Sequence, residues 1–87
     1  MNRRSRPETE PVEEFPHGRI RVHLDQLLGD RQMTMTELAE RVDITLANMS
    51  VLKNGHARAI RFSTLTAVCR VLDCQPGDVL TWEPPEE

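Results

Sequence analysis

The chain has 87 residues, of which 38% are hydrophobic, and a formal net charge of -3. This length allows one domain at most, and without a long apolar run the chain is not expected to span a membrane. Its basic start, MNRRSRPETEP, is not followed by an apolar segment, so we predict no secretory signal, a cytoplasmic location and reduced cysteines.

Both ends of the chain have the composition of tails. Residues 1–17 mix prolines with Arg and Glu and offer Val12 and Phe15 as large apolar residues. Such a segment cannot bury enough apolar surface to offset its chain entropy, so it is predicted to be disordered. Residues 83–87 form an acidic C-terminal tail, which leaves one predicted domain at 18–82.

The first two helices are predicted from apolar spacing and from capping. A first helix, ending near Gly29 and Asp30, carries apolar residues at i, i+4, i+7 and i+8, namely Ile20, Leu24, Leu27 and Leu28. Thr34 starts a second helix, because Glu37 completes a capping box three residues later. The chain then reverses at Asp43, in a left-handed geometry that Asp tolerates less well than Gly or Asn.

A third helix is predicted directly after the turn. It is predicted to begin at Thr45 as N-cap, to run to about Lys53 and to stop at the Asn54-Gly55 pair. Its inward residues are Met49 and Leu52. The second and third helices together therefore predict a helix, a tight turn and a helix.

Two further helices complete the predicted domain. A fourth runs from Phe62 to Leu72 and ends at Asp73, and its inner side holds Phe62, Leu65, Val68, Cys69 and Leu72. A short fifth helix begins at Gln75-Pro76, because proline is favoured in a first turn, and packs back through Val79 and Leu80. Five short helices without a convincing strand make the predicted fold class all-α.

Several of these features occur together at fixed spacing. They are Leu38-Ala39, the turn at Asp43, Ile44-Thr45, Met49, Leu52, Asn54-Gly55 and the run from Leu72 to Leu80. Through them the segment 20–82 resembles the Cro and phage-repressor type of helix-turn-helix domain, also called the xenobiotic-response-element family. The resemblance implies a five-helix, lambda-repressor-like fold, as in short stand-alone bacterial regulators, and double-stranded DNA as partner.

Charge distribution favours a nucleic-acid partner independently of the resemblance. No acidic residue lies between Asp43 and Asp73, whereas the stretch carries four basic residues, Lys53, Arg58, Arg61 and Arg70. A surface that faces phosphates needs such a stretch. Between the two tails the formal charge is +1, from eight basic and seven acidic residues.

The outward positions of the third helix are the candidates for contact with bases. They are Thr45, Leu46, Ala47, Asn48, Ser50 and Val51. Asn48 could bond adenine through two hydrogen bonds, although it could instead assist the cap at Thr45. The apolar members offer contact to a thymine methyl group. This set predicts moderate, A·T-leaning specificity, or a target other than DNA.

The loop after the third helix is the candidate for contact with the phosphate backbone. The resemblance implies that Asn54, Arg58 and Arg61 approach it, partly with main-chain N–H groups at the start of the fourth helix. Lys53 would add a phosphate contact at a position where the family frequently has Glu. The alternative for Arg58 and Arg61 is ordinary solvated surface, which is the favoured interpretation of Arg70.

Other chemistry finds little support in the sequence. Cys69 and Cys74 are five residues apart, which does not fit the paired spacing of structural zinc sites. A buried thiol is the favoured interpretation of Cys69, and a redox-active pair is the less favoured one. Neither a Gly-rich phosphate loop nor a nucleophile elbow is present, so we expect no enzymatic activity, no cofactor and no metal.

The sequence thus predicts a sequence-specific DNA-binding transcriptional regulator. One module of this size buries little DNA surface, so a homodimer on two half-sites is expected, with Val79–Trp82 as an apolar segment for self-association. Trp82 could alternatively cover the edge of the core. The alternative function is an antitoxin or protein-interaction module that binds a protein partner, such as a toxin, through the same scaffold.

Overall fold

The computed structural model describes residues 16–86. Its elements in chain order are β1 (Arg19–Val22), α1 (Leu24–Arg31), α2 (Met35–Val42), α3 (Leu46–Lys53), α4 (Phe62–Leu72), α5 (Pro76–Val79) and β2 (Leu80–Glu83). The predicted N-terminal tail lies, except for Pro16 and His17, outside the described residues. None of the helices within 16–86 is long and apolar enough to cross a membrane.

A small sheet corrects the all-α prediction. β1 and β2 pair antiparallel, with Ile20 opposite Trp82 and Val22 opposite Leu80. Ile20 was predicted to lie on the apolar stripe of the first helix. It lies instead on a strand and is 56% exposed. β2 also continues through Glu83, one residue beyond the predicted end of the domain. The fold is mostly helical, with a two-stranded sheet that joins its ends.

The ends of α2, α3 and α4 agree closely with the sequence-based predictions, because they depend on local hydrogen bonds. The Thr34 hydroxyl accepts the Glu37 N–H at 3.0 Å, and the Glu37 carboxylate accepts the Thr34 N–H at 3.0 Å, so the capping box is confirmed. Asp43 takes the predicted left-handed conformation, with φ 63°. The first helix ends later than predicted, at left-handed Gln32 rather than at Gly29 and Asp30.

The helices enclose one apolar core. α2 packs on both α3 and α4, and the largest fully buried side chains are Leu24, Leu38, Met49, Leu72, Val68 and Val79. Ala39 is 3% exposed, as expected where α2 and α3 cross closely. The prediction that Phe62 packs inward is wrong, because Phe62 is 83% exposed in the first turn of α4. Cys69 is half-buried rather than buried.

The sheet is anchored at the start of β1 by a close backbone approach. Gly18 has φ +88°, and a Cβ at this position would collide with the Glu83 carbonyl oxygen and the Trp82 indole. The Trp82 indole N–H donates to the His17 carbonyl at 2.8 Å, although the ring is 63% exposed. Trp82 is therefore not among the residues that pack against the core, contrary to one of its two predicted roles.

Candidate nucleic-acid interface

α3 is held at a fixed angle by what precedes it and what lies beneath it. The left-handed Asp43 reverses the chain, and Ile44 packs against the core with its N–H bonded to the Ala39 carbonyl at 3.0 Å. Met49 is fully buried, and Leu52 is 7% exposed. Because one side of the helix is locked into the core in this way, its other side is presented as a rigid surface.

The α3 residues that were predicted to face outward are exposed or half-buried in the structure. Leu46 and Val51 are 48% and 44% exposed, and Thr45, Ala47 and Asn48 are also exposed. Ser50 is half-buried. The first two turns of α3 therefore present hydroxyl, amide and apolar groups to the surroundings, without a carboxylate among them.

The cap of α3 leaves the side chain of Asn48 available. The Thr45 hydroxyl accepts the backbone N–H of Asn48 at 3.1 Å, so the cap uses the main chain of Asn48 and not its amide group. Within residues 16–86 the Asn48 amide makes no hydrogen bond. Asn48 therefore takes part in the cap through its main chain, and its exposed side chain is left for other contacts.

A concavity of about 640 Å³ opens between α3, the loop that follows it and the start of α4. Asn48 and Val51 line it from α3, and Arg58 and Arg61 line it from the other side. Both arginines are exposed and have no ion-pair partner among the described residues. The structure thus brings four of the predicted site residues around one open, positively charged surface.

Lys53 and Asn54 lie apart from that concavity. They line a second groove of about 760 Å³, between the end of α3 and β1. Lys53 Nζ lies 3.5 Å from a carboxylate oxygen of Asp25 on α1, and its side chain is 27% exposed. Asp25 therefore offsets part of the positive charge of Lys53, which the sequence analysis assigned to a phosphate contact. The spacing of the two residues in the sequence did not reveal this ion pair.

The start of α4 carries the main-chain N–H groups that the sequence analysis named, and the concavity also has two lining side chains that it did not name. Arg61 is the N-cap of α4, but no side chain caps this end, so the first N–H groups of the helix lack a side-chain acceptor. Thr64 and His56 line the same concavity as Asn48. The polar Ser63-Thr64 pair in the first turn of α4 was the sequence feature that could have pointed to Thr64 as a site residue.

Among residues 16–86 no group of three or more His, Cys, Asp or Glu side chains could hold a metal ion. The interface residues are instead hydrogen-bond donors, apolar contacts and cations, which are the groups that recognise nucleic acid.

Comparison with known proteins agrees with this geometry. Residues 23–85 match the family model of Cro/C1-type HTH DNA-binding domains. A curated relative from Bacillus subtilis (strain 168), named as the uncharacterized HTH-type transcriptional regulator YozG, is 54% identical over 68 residues. The match covers 78% of this chain and 81% of the relative.

A solved structure is also similar. It is the crystal structure of the transcriptional regulator VanUg, with a TM-score of 0.67 and 27% sequence identity. The match covers 87% of this chain and 100% of the VanUg chain.

Proposed function

The chain belongs to the family of Cro/C1-type HTH DNA-binding domains, and from this premise we propose that it is a transcriptional regulator that inserts α3 into the major groove of double-stranded DNA. The supporting observation is the two-sided α3, anchored by buried Met49 on one side and exposed from Thr45 to Asn48 on the other. A helix about 10–12 Å in diameter fits a groove about 12 Å wide. We place the protein in the cytoplasm, where this target lies.

Base contacts are assigned to the first two turns of α3. Adenine presents an N7 acceptor and an N6 donor in the major groove. The free side-chain amide of Asn48 can donate to N7 and accept from N6, which gives two hydrogen bonds. Leu46, Ala47 and Val51 offer apolar contact to thymine methyl groups, and the hydroxyls of Thr45 and Ser50 can serve bases or phosphates. The proposed specificity therefore leans toward A·T pairs.

Backbone contacts are assigned to the opposite wall of the concavity. Arg58 and Arg61 have no ion-pair partner within residues 16–86, and the N–H groups at the start of α4 are suited to a phosphate oxygen. Asn54, which lines the neighbouring groove with Lys53, is proposed as a further backbone contact. Lys53 contributes less, because Asp25 already pairs with it.

A homodimer completes the proposal, with the sheet as the contact. Ile20 and Trp82 face each other across the strands and are exposed, while Val22 and Leu80 on the same sheet face pack against the core. This face therefore continues past the core as an uncovered apolar pair. A twofold contact requires a patch that complements itself, and an apolar pair satisfies that requirement.

The experiment that tests the proposal combines site selection with matched variants. Selection from random duplex DNA should enrich an A·T-containing site, and affinity for that site should fall steeply with salt. Arg61→Ala should weaken binding to all sequences and lower the salt slope by about 1, because one phosphate contact is lost. Asn48→Ala should cost about 1–3 kcal/mol at one base pair and relax the preference there.

Arg70→Ala is the matched control for Arg61→Ala. It removes the same charge from the same helix, but Arg70 lies in the last turn, away from the concavity. Its DNA affinity should stay close to that of the unmodified chain. Equal losses in the two variants would mean that overall charge, and not the assigned surface, governs binding. Absence of DNA binding even at low salt would exclude the proposal and favour the protein-interaction alternative.

A further inference from the structure

The two cysteines occupy paired positions at the end of α4. The Cys74 N–H donates to the Cys69 carbonyl at 3.0 Å, and the Asp73 N–H donates to the Arg70 carbonyl at 3.3 Å. Asp73 between them is left-handed, with φ 54°. These features define a Schellman motif, in which the side chains at the positions of Cys69 and Cys74 commonly touch as an apolar pair. Here both of these side chains are thiols.

The backbone bond limits how far apart the two residues can be. The Cys69 Cα lies about 2.4 Å from its own carbonyl oxygen, and the Cys74 Cα lies about 3.9 Å from that oxygen, given the bond angle at its nitrogen. Their Cα atoms are therefore at most about 6.3 Å apart, inside the range of about 4.4–6.8 Å that disulfides span. The motif holds the pair at a separation that a disulfide can bridge.

The two thiols also interact with each other, and neither cysteine is fully buried. Burial raises the pKa of Cys74, and the neighbouring Cys69 raises it further through its charge and a hydrogen bond, as does the charge of Asp78, while Arg31 opposes the shift. Both cysteines are half-buried and unbonded. A small reagent can therefore reach a pair of sulfurs that already interact.

We propose that Cys69 and Cys74 form a dithiol site that closes to an intramolecular disulfide by exchange with a low-molecular-weight disulfide. One cysteine thiolate attacks the small disulfide, forming a mixed disulfide and releasing one small thiol. The second cysteine then attacks the protein sulfur of that mixed disulfide and releases the other small thiol. The protein loses two hydrogens and two electrons, and the small disulfide gains them.

The environment sets the pH dependence of this exchange. The thiolate is the attacking species, and a raised pKa keeps Cys74 protonated at neutral pH. Closure should therefore be slow near neutrality and accelerate as the pH rises toward the pKa of Cys74. Asp78 and Arg31 are the charged groups that act on Cys74, from α5 and α1 respectively.

The test uses the full folded chain with oxidised glutathione at mildly alkaline pH, quenched in acid and analysed by intact mass. We expect the loss of two hydrogens without retained glutathione. Trypsin cleaves after Arg70, between the cysteines, so the closed form should yield residues 62–70 linked to residues 71–87, which separate on reduction. Cys69→Ser and Cys74→Ser should each retain one glutathione instead.

Three outcomes would overturn the proposal. Glutathione retained on the unmodified chain would show that the ring does not close. Disulfides between two chains would show that the thiols prefer an external partner. Closure in urea but not in the folded chain would show that the fold holds the sulfurs apart.

Discussion

At the residue scale, three non-glycine residues within the described range 16–86 adopt the left-handed backbone conformation. They are Gln32, Asp43 and Asp73, and each ends a helix. The conformation costs roughly 1–2 kcal/mol for a residue with a Cβ, and Asp accommodates it better than Gln does. Of these three positions, Gln32 therefore carries the residue that suits the left-handed backbone least.

Gln32→Gly should stabilise the fold. Removing the Cβ relieves the left-handed strain, and the greater entropy of glycine in the unfolded chain offsets part of this gain, which leaves about 0.5–1 kcal/mol. Urea unfolding would measure the change. Gln32→Ala, which keeps a Cβ, should not stabilise. A lower midpoint for Gln32→Gly than for Gln32→Ala would contradict this account.

At the scale of the element, capping by threonine sets the first helix of the helix-turn-helix. Thr34 and Glu37 exchange hydrogen bonds at the start of α2, which carries the buried Leu38 and Ala39 that seat α3. The angle of α3 therefore depends on α2, although α2 is not the helix proposed to enter the major groove of DNA.

Thr34→Ala should lower the free energy of unfolding by about 1 kcal/mol, because an orphan N–H loses its acceptor and the capping box is broken. Thr36→Ala makes the same substitution two residues later, on an exposed side chain without a hydrogen bond within the described part of the chain. Its effect on unfolding in urea should be near zero. Equal losses in both variants would show that the capping box contributes little.

At the scale of the whole molecule, the exposed large hydrophobic residues fall into two groups. Leu46, Val51 and Phe62 lie on α3 and at the start of α4, and Ile20 and Trp82 lie on the sheet. Exposed apolar side chains that lie together commonly mark a surface that contacts another molecule. The proposed function places Leu46 and Val51 of the first group against DNA and the second group against a second copy of the chain.

Trp82→Thr should weaken self-association without removing the strand, because threonine suits a strand and lacks the indole surface. Sedimentation across protein concentrations, with and without DNA, would measure the shift toward monomer. Phe62→Ser is the control, since it removes a similarly exposed aromatic ring from the other group and should leave the dimer intact. An unmodified chain that stays monomeric both free and on DNA would exclude the dimer.

The sequence alone determined the ends of α2, α3 and α4. The bounds of α4, the cap at Thr45 and the stop at Asn54-Gly55 follow from interactions between residues three to five apart, which spacing and residue type express directly. The exposed surface of α3 followed in the same way, because the buried Met49 and Leu52 determine which side faces outward.

Only the tertiary structure decided what depends on distant partners. Ile20 joined a strand because Trp82, 62 residues later, lies opposite it, and Lys53 met Asp25 because α1 passes beside the end of α3. Phe62 had the spacing of a core residue, yet no neighbouring element covers it within residues 16–86. Helical hydrogen bonds form within a few residues, whereas strand pairing, ion pairs between elements and burial arise only after the chain has closed on itself.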